Sequence, residues 1–467
     1  FKQKTAYEML RSLVGSEMCI RDRFLSGQEC AIVMITMAET STEVTTTRLP
    51  NGLTIWLKEI HTAPIISHWV WYRVGSRNET VGKRGVSHWV EHMQFKGTPK
   101  FPAHVLDKAI SRTGGHWNAF TYLDWTAYFE TMPADQIDLA LELEADRMDK
   151  SVFEPQEVEA ERNVVISEKE GNDNEPLARL GTAIQKAAFD CHPYRYEVIG
   201  ELEDLQTMSR EDLYHHYRAY YVPNNALIAV AGDFKTNDMI ARLEKLYAGL
   251  QPGIIPAFPE YDERRLSGER RVEVTGPGET TYLQVVYRTP RAAEDHFFAL
   301  SVADSILAGP TSLNMFGGGG ISNKTSRLYR ALVETELAVA VYGGVQATID
   351  PFLYQITVTL RPQRSPAEAL AKLDDEIKRL MDAYVPDSEV QRSIKQAKAL
   401  FSYGSESIAN QAFWLGYAEM FANYEWFQKY LERLEMVTRE DVLAVARSYL
   451  DPSNRVVGVY IPDGNMG

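Results

Sequence analysis

The sequence predicts an α+β fold built from two homologous halves, and three observations carry that prediction. The chain has 467 residues, 45% hydrophobic and 24% charged, which is ordinary for a folded protein and long enough for two cores. It also repeats itself. Ser209-Arg210-Glu211-Asp212-Leu213 matches Thr438-Arg439-Glu440-Asp441-Val442 at an offset of 229, and Tyr220-Tyr221-Val222-Pro223-Asn224-Asn225 meets Tyr449-Leu450-Asp451-Pro452-Ser453-Asn454 at the same offset. Finally, both copies follow one pattern: a Ser or Thr N-cap with acids in the first turn, a helix, a Pro-Asn turn and an apolar strand, Ala226 to Ala231 and Val456 to Ile461. Trp71-Tyr72-Arg73 aligns with Val286-Tyr287-Arg288 at an offset of 215, so insertions or deletions separate the copies.

Taken in order, residues 1–36 are expected to be a disordered leader. Within it, Leu10 to Arg23 resembles the translated text of a sequencing adapter and is set aside from fold reasoning; Met34 or Met37 is the expected natural start. Residues 37–250 are expected to form the first domain and 269–467 its homologue. The segment 251–268 between them, with three prolines and mixed charge, reads as a linker. Cys19, Cys30 and Cys191 are too few and too scattered for a disulfide framework, and they point to a reducing, cytoplasmic setting. No run of eighteen apolar residues exists, so no membrane span is expected. The net charge of −15 argues against nucleic acid as a partner.

The chemistry of the first half starts at His88-Trp89-Val90-Glu91-His92. Histidines four apart lie one above the other on a helix, with Glu91 beside them. This is the H-x-x-E-H pattern, in which two imidazoles hold a metal and the glutamate is aimed at a water on it. Taken alone, the motif is also compatible with two surface histidines on an acidic helix, and a third ligand decides. The acidic run Glu154 to Glu170 offers one. Glu161 and Glu168 are seven apart, on one helical face, and Val164 and Val165 between them suggest burial, which for a carboxylate demands a cation. Glu157 and Glu159 read as solvated.

With these residues the chain resembles the pitrilysin/insulinase/mitochondrial processing peptidase family of zinc endopeptidases. The stretch Glu161-Arg162-Asn163-Val164-Val165-Ile166-Ser167-Glu168 matches the family's E-R-x-V-V-x-x-E helix, and Glu168 follows His92 by 76 residues, the family's spacing. The resemblance runs from about Thr47 to Ile461. It implies two α/β-roll halves, each an antiparallel-rich sheet with helices on one face. It implies Zn2+ held by His88, His92 and Glu168, with Glu91 as general base and Glu161 as a supporting carboxylate. The segment Gly114-Gly115-His116-Trp117-Asn118-Ala119-Phe120-Thr121 matches the family's edge strand beside the zinc, so Asn118, Ala119 and Phe120 are the implied substrate-binding residues; a plain hairpin turn at the two glycines is the alternative. The alternation of Thr126, Tyr128 and Glu130 with Ala127 and Phe129 reads as the next strand. His192-Pro193-Tyr194 matches a family turn, and His192 reads as structural.

In the second half, at an offset of 215, His88, Glu91 and His92 fall on Ala303, Ile306 and Leu307, so that copy keeps the helix and lacks the metal set. Ser326-Arg327-Leu328-Tyr329 matches a family helix followed by an Arg and a Tyr that anchor substrate; here those positions hold Val333 and, after one deletion, Val339. The resemblance then implies a zinc-bearing subunit that acts on peptides or unfolded polypeptide segments in a dimer. The partner is expected to be a homologous subunit carrying the Arg/Tyr pair, or a second copy in which Arg327 or Arg330 serves. A non-catalytic assembly or peptide-binding subunit on the same scaffold is the alternative. Gly317 to Gly320 before Lys324-Thr325 lacks the glycine a phosphate loop needs next to its lysine, and reads as a plain loop.

Overall fold

The computed structural model describes residues 43–263, 265–313 and 323–465. The leader, the adapter-like segment, Met34, Met37, Cys19, Cys30 and the Gly317–Gly320 run lie outside these described residues. The first half contains β1 (Thr45–Arg48), β2 (Thr54–Glu59), β3 (Ile65–Tyr72), α1 (Val86–Gln94), α2 (Ala103–Arg112), β4 (His116–Thr121), β5 (Thr126–Pro133), α3 (Ile137–Lys150), α4 (Pro155–Asp173), α5 (Pro176–Ala188), α6 (Leu202–Thr207), α7 (Arg210–Tyr220), β6 (Ala226–Gly232) and α8 (Thr236–Tyr247). The second contains β7 (Arg270–Gly276), β8 (Tyr282–Arg288), α9 (Asp295–Leu307), β9 (Ala338–Val345), β10 (Leu353–Leu360), α10 (Pro366–Asp382), α11 (Asp387–Tyr403), α12 (Ile408–Phe421), α13 (Tyr424–Gln428), α14 (Tyr430–Met436), α15 (Arg439–Tyr449) and β11 (Arg455–Pro462). Between α8 and β7 the described residues form neither helix nor strand.

The five strands of the second sheet correspond in order to five of the first, which adds β1 at its edge. The first runs β1-β2-β6-β3-β5-β4 and the second β7-β11-β8-β10-β9. In each, one parallel pair (β2 with β6, β7 with β11) joins an otherwise antiparallel set. The repeated motifs do the same work in both copies. Ser209 and Thr438 each cap a helix by accepting from Asp212 N and Asp441 N, while those aspartates accept from the cap nitrogens at 2.9 Å. After the helix, Asn225 donates to Tyr220 O and Arg73 O, and Asn454 donates to Tyr449 O and Arg288 O. The two copies are therefore the same α+β roll.

Strand alternation places the cores. In β3, Ile66, Val70 and Tyr72 face the first half's own helices, while Trp69 and Trp71 face the other way. That second face is covered by α12 from the opposite half, and a Cβ on Gly416 would sit 2.1 Å from Trp71 Nε1, so only glycine fits. Reciprocally, α5 of the first half lies on β7, β8 and β11 through Leu180, Ile184 and Ala188. Each half thus covers the open face of the other's sheet, and the described residues form one compact unit. Among the described residues no helix is long and apolar enough to cross a membrane.

Candidate active site

The site is assembled where α1, α4 and β4 meet. α1 starts at Gly85, whose φ of 93° suits glycine, and a Cβ there would lie 2.4 Å from Ile199 O. Gly200 packs against it with the same φ of 93°, because a Cβ on Gly200 would meet Arg84 O at 2.2 Å. Glu79 closes the helix start: its carboxylate accepts from Gly85 N at 2.8 Å and Ser87 N at 2.9 Å. Burial pushes the Glu79 carboxyl up to about 7, against the pull of those two backbone bonds.

From this fixed start, α1 sets His88 and His92 edge to face with ring centroids 4.6 Å apart. On α4, Glu168 Oε2 lies 4.0 Å from His88 Nε2 and 3.5 Å from His92 Nε2. A tetrahedral ion about 2.1 Å from each donor sets its donors about 3.4 Å apart, so two imidazoles and one carboxylate in this arrangement fit such an ion. Among the described residues this trio is the one cluster of three or more metal-type donors, with atoms within 4.8 Å of one another. Behind it, Glu161 Oε1 is 2.8 Å from His92 Nδ1, so the ring presents Nε2 to the trio. The other oxygen of Glu161 pairs with Lys96, in the turn just past the end of α1. His88 Nδ1 is buried with no hydrogen-bond partner among the described residues, so only His92 has a carboxylate behind it.

Electrostatics separate the two rings. Burial and the neighbouring His92 charge lower His88 to about 4. Burial also works against charge on His92, but the bonds to Glu161 and Glu168 prevail and raise it to about 9. For Glu161 and Glu168, burial acts upward and is outweighed, through His92 and Lys96 for Glu161 and through His92 and His88 for Glu168; both lie below the usual carboxylate range. The pocket is one in which carboxylates compel a cation.

Glu91 points to the same space from α1. Thr121 Oγ1, at the end of β4, donates to Glu91 Oε2 at 2.7 Å. Burial raises the Glu91 carboxyl, with the His92 charge and the Thr121 bond opposing. β4 is the terminal strand of its sheet, paired on one side only with β5, in the register Asn118 to Phe129 and Thr121 to Thr126. Trp117 and Ala119 pack into the core shared with α1, whereas Phe120 packs on the opposite face and stacks on Phe129. Ala119 is buried, so it offers a neighbouring chain its backbone only, and Asn118 Oδ1 accepts from Ala119 N at 2.9 Å.

Residues 54–201 match the family model for insulinase, peptidase family M16, and residues 207–397 match the model for the peptidase M16 inactive domain. The chain belongs to peptidase family M16. An uncharacterized zinc protease of Mycobacterium bovis is 29% identical over 86% of this chain and 90% of its own length. A probable mitochondrial-processing peptidase subunit beta of Arabidopsis thaliana is 30% identical over 44% of this chain and 39% of its own length. The crystal structure of a protease from Helicobacter pylori superposes with a TM-score of 0.82 and 25% identity, covering 90% of this chain and 99% of that one. As an M16 peptidase the chain takes zinc as its cofactor, and the inactive-domain match, which begins in the last helices and strand of the first half and runs through much of the second, leaves out His88, His92 and Glu168.

Several expectations change in this M16 chain. Val165 is buried, but Val164 is 48% exposed: α4 shows only one edge to the core, so consecutive valines cannot both reach it. His192 is more than a turn residue. It caps the turn Pro193–Arg195 by accepting from Tyr194 N, as its structural reading expects, and in addition its Nε2 lies 3.1 Å from Asp350 of the second half. Arg327 is held bidentately by Glu389 at 3.1 and 2.8 Å, so it is not free to anchor substrate, whereas Arg330 is exposed. Val333 packs against the shared core, and Val339 is 58% exposed on β9. Thr121, Lys96 and Glu79 went unnoticed in the sequence. Thr121 closes the edge-strand motif and Lys96 follows His92 by one helical turn, and those spacings were the available signal.

Proposed function

We propose that this M16 chain is a zinc-dependent endopeptidase acting on peptides or unfolded polypeptide segments, and that it is the zinc-bearing subunit of a dimer. The observation carrying this reading is the convergence of His88 Nε2, His92 Nε2 and Glu168 Oε2 beside the Thr121-held carboxylate of Glu91. His88, His92 and Glu168 would hold the ion; when bound, zinc acts as a Lewis acid toward the scissile carbonyl and acidifies a water at its open position. Glu161 fixes the His92 ring through Nδ1, and Lys96 fixes Glu161. Glu91 is the general base. Thr121 occupies one of its oxygens, leaving the other to take the water proton and return it to the leaving amine. The free edge of β4 takes the substrate as an added strand, through the backbone of Asn118, Ala119 and Phe120 and the Asn118 amide.

The dimer proposal rests on Val333 and Val339, where the family's substrate-anchoring Arg and Tyr would stand, and on the engagement of Arg327 with Glu389. A homologous partner would supply the cation and phenol, in keeping with a relative that is itself named a subunit. A second copy using Arg330 is the alternative partner. The same observation favours, as a second reading, a non-catalytic assembly or peptide-binding role for the chain by itself. We place the domains at 37–250 and 269–467 with the linker at 251–268, and the protein in the cytoplasm on its sparse cysteines.

Elemental analysis and a peptide-library assay test the proposal together. One zinc per chain is expected, with weak turnover alone and strong turnover on mixing with a homologous chain that carries the Arg/Tyr pair. No zinc after reconstitution would end the peptidase reading; full turnover from the lone chain, unchanged by the homologue, would end the heterodimer.

A further inference from the structure

Behind β4, on the face toward α1, lies a buried charged group that the peptide chemistry above does not use. Arg147 on α3 is 2% exposed; its Nε donates to Glu144 Oε2 at 2.9 Å, and its Nη2 pairs with Glu144 Oε1 and, at 3.5 Å, with Glu130 Oε1. Glu130 Oε2 is 3.0 Å from His68 Nδ1. The last three strands on this side of the sheet line up here, since Glu130 of β5 stands opposite His68 of β3 and Trp117 of the edge strand β4. The guanidinium carbon lies 4.4 Å from the Tyr128 ring centroid, 5.6 Å from Phe95 and 5.8 Å from Trp117. Phe95 is the C-cap of α1, and its ring centroid is 4.9 Å from that of Trp117.

Arg147 therefore sits in an aromatic box whose walls belong to the end of the metal-bearing helix, the edge strand and the strand beside it. Burying this many ionisable groups is poor value for stability alone, because apolar side chains of similar volume commonly fill such a space at least as well. What apolar residues lack is a rigid plane that is charged and can be gripped along its edge by hydrogen bonds. Glu144 grips the guanidinium along one edge, which leaves its flat faces to the rings, and a lysine would keep the charge without the plane.

We propose that Arg147 is a positioning residue for the cleft: through Trp117 and Phe95 it sets the lie of β4 against α1, and so the distance of a bound peptide from His88, Glu91 and His92. The inference rests on the reading of β4 as the strand that receives substrate. Thr121 ties one end of β4 to Glu91, and the Arg147 box ties the other end to Phe95.

The test compares the parent chain with R147K, R147M and the charge-free triple variant E130Q/E144Q/R147M, which leaves no carboxylate of the cluster unpaired. Zinc content, amide hydrogen exchange across residues 116–121, and the positions of cleavage in one fixed peptide are measured for each. All variants that fold should hold one zinc per chain. R147M and the triple variant should exchange faster in 116–121 while β6 is unchanged, cleave at neighbouring bonds as well as the parent's, and lose ~10- to 100-fold in kcat with a smaller change in KM. R147K should behave like R147M. A triple variant with parent-like exchange in β4 and the parent's cleavage positions would overturn the proposal. So would a loss seen only in thermal stability. If the parent itself cleaves no peptide, the peptidase reading fails, and the exchange measurement, which needs no turnover, still decides the role of Arg147.

Discussion

α1 and α9 occupy the same place in the two halves, and only one of them carries the proposed zinc ligands and base. Each packs on the edge strand of its sheet, β4 or β9, and on the helix with the Ser/Thr capping box, α7 or α15. α9 buries Phe297, Phe298, Leu300, Val302, Ala303, Ile306 and Leu307. It shows what the fold asks of a helix here, which is apolar surface. α1 meets the same demand with Val86, Trp89, Val90 and Met93, yet also buries Glu91 and His92 and half-buries His88. Ionisable groups in such a place need partners, and each has one or more: Thr121 for Glu91, Glu161 for His92, Glu168 for both rings. The comparison assigns the apolar residues of α1 to folding and its polar residues to function.

The largest expected effect breaks that comparison at Glu91. E91Q keeps the shape and the Thr121 contact but removes the base. Peptide turnover should fall by at least ~100-fold, the usual scale for a general base, with zinc content and thermal unfolding unchanged. Turnover close to that of the parent would remove Glu91 from the mechanism, and loss of zinc would make it a ligand. The next effect separates two carboxylates on one helix face. E168Q should nearly abolish zinc binding, whereas E161Q, which acts through His92 Nδ1, should weaken it by ~10- to 100-fold. Competition with a chromogenic chelator reads both, and equal losses would contradict the different places assigned to them.

A smaller effect belongs to Thr121. T121V frees the Glu91 carboxylate to rotate, and turnover should fall about tenfold, the scale of one hydrogen bond to a charged group. T121S restores the hydroxyl and should recover most of that loss. A T121V variant as active as the parent would make the contact incidental.

These residues differ in how far they could be read in advance. The repeat was legible because it lies in contiguous strings, and the capping boxes and Pro-Asn turns of both copies follow from local chemistry. His88, Glu91 and His92 were legible because helical periodicity alone brings them together; Glu168 required a family spacing. Thr121, Lys96 and Arg147 were not legible as partners. A threonine in a strand, a lysine just past a helix end and an Arg-Glu pair three apart are common in any sequence, and their roles arise only from how α1, α3, α4 and β4 pack. The exchange of α5 and α12 between halves was hidden for a related reason. A repeat says what each half contains, not whose helix covers which face of a sheet.

The smallest expected effect sharpens the comparison from the inert side. α9 has one buried carboxylate, Asp304, held by Thr311 Oγ1 at 3.0 Å. Burial pushes its pKa from 3.8 up to about 7. The folded chain therefore keeps a proton on Asp304 that the unfolded chain releases near its ordinary value. Between those two values the folded state binds more protons, so stability falls as pH rises from about 4 to about 7 and levels off above. D304N is neutral at every pH and should remove this contribution. Relative to the parent it should gain on the order of a few kcal/mol between pH 5 and pH 8, read as a shift in thermal unfolding. Glu79 at about 7 and Asp124 at about 6 are raised by burial too, so the fall in stability with pH is reduced in D304N and not abolished. Turnover, measured at one pH where both proteins are folded, should not change, because α9 carries no part of the proposed zinc site. A parent and a D304N variant that differ by the same amount at pH 5 and pH 8 would show that Asp304 holds no proton in the folded chain, and that α9, unlike α1, buries an ionised group without a counter-charge.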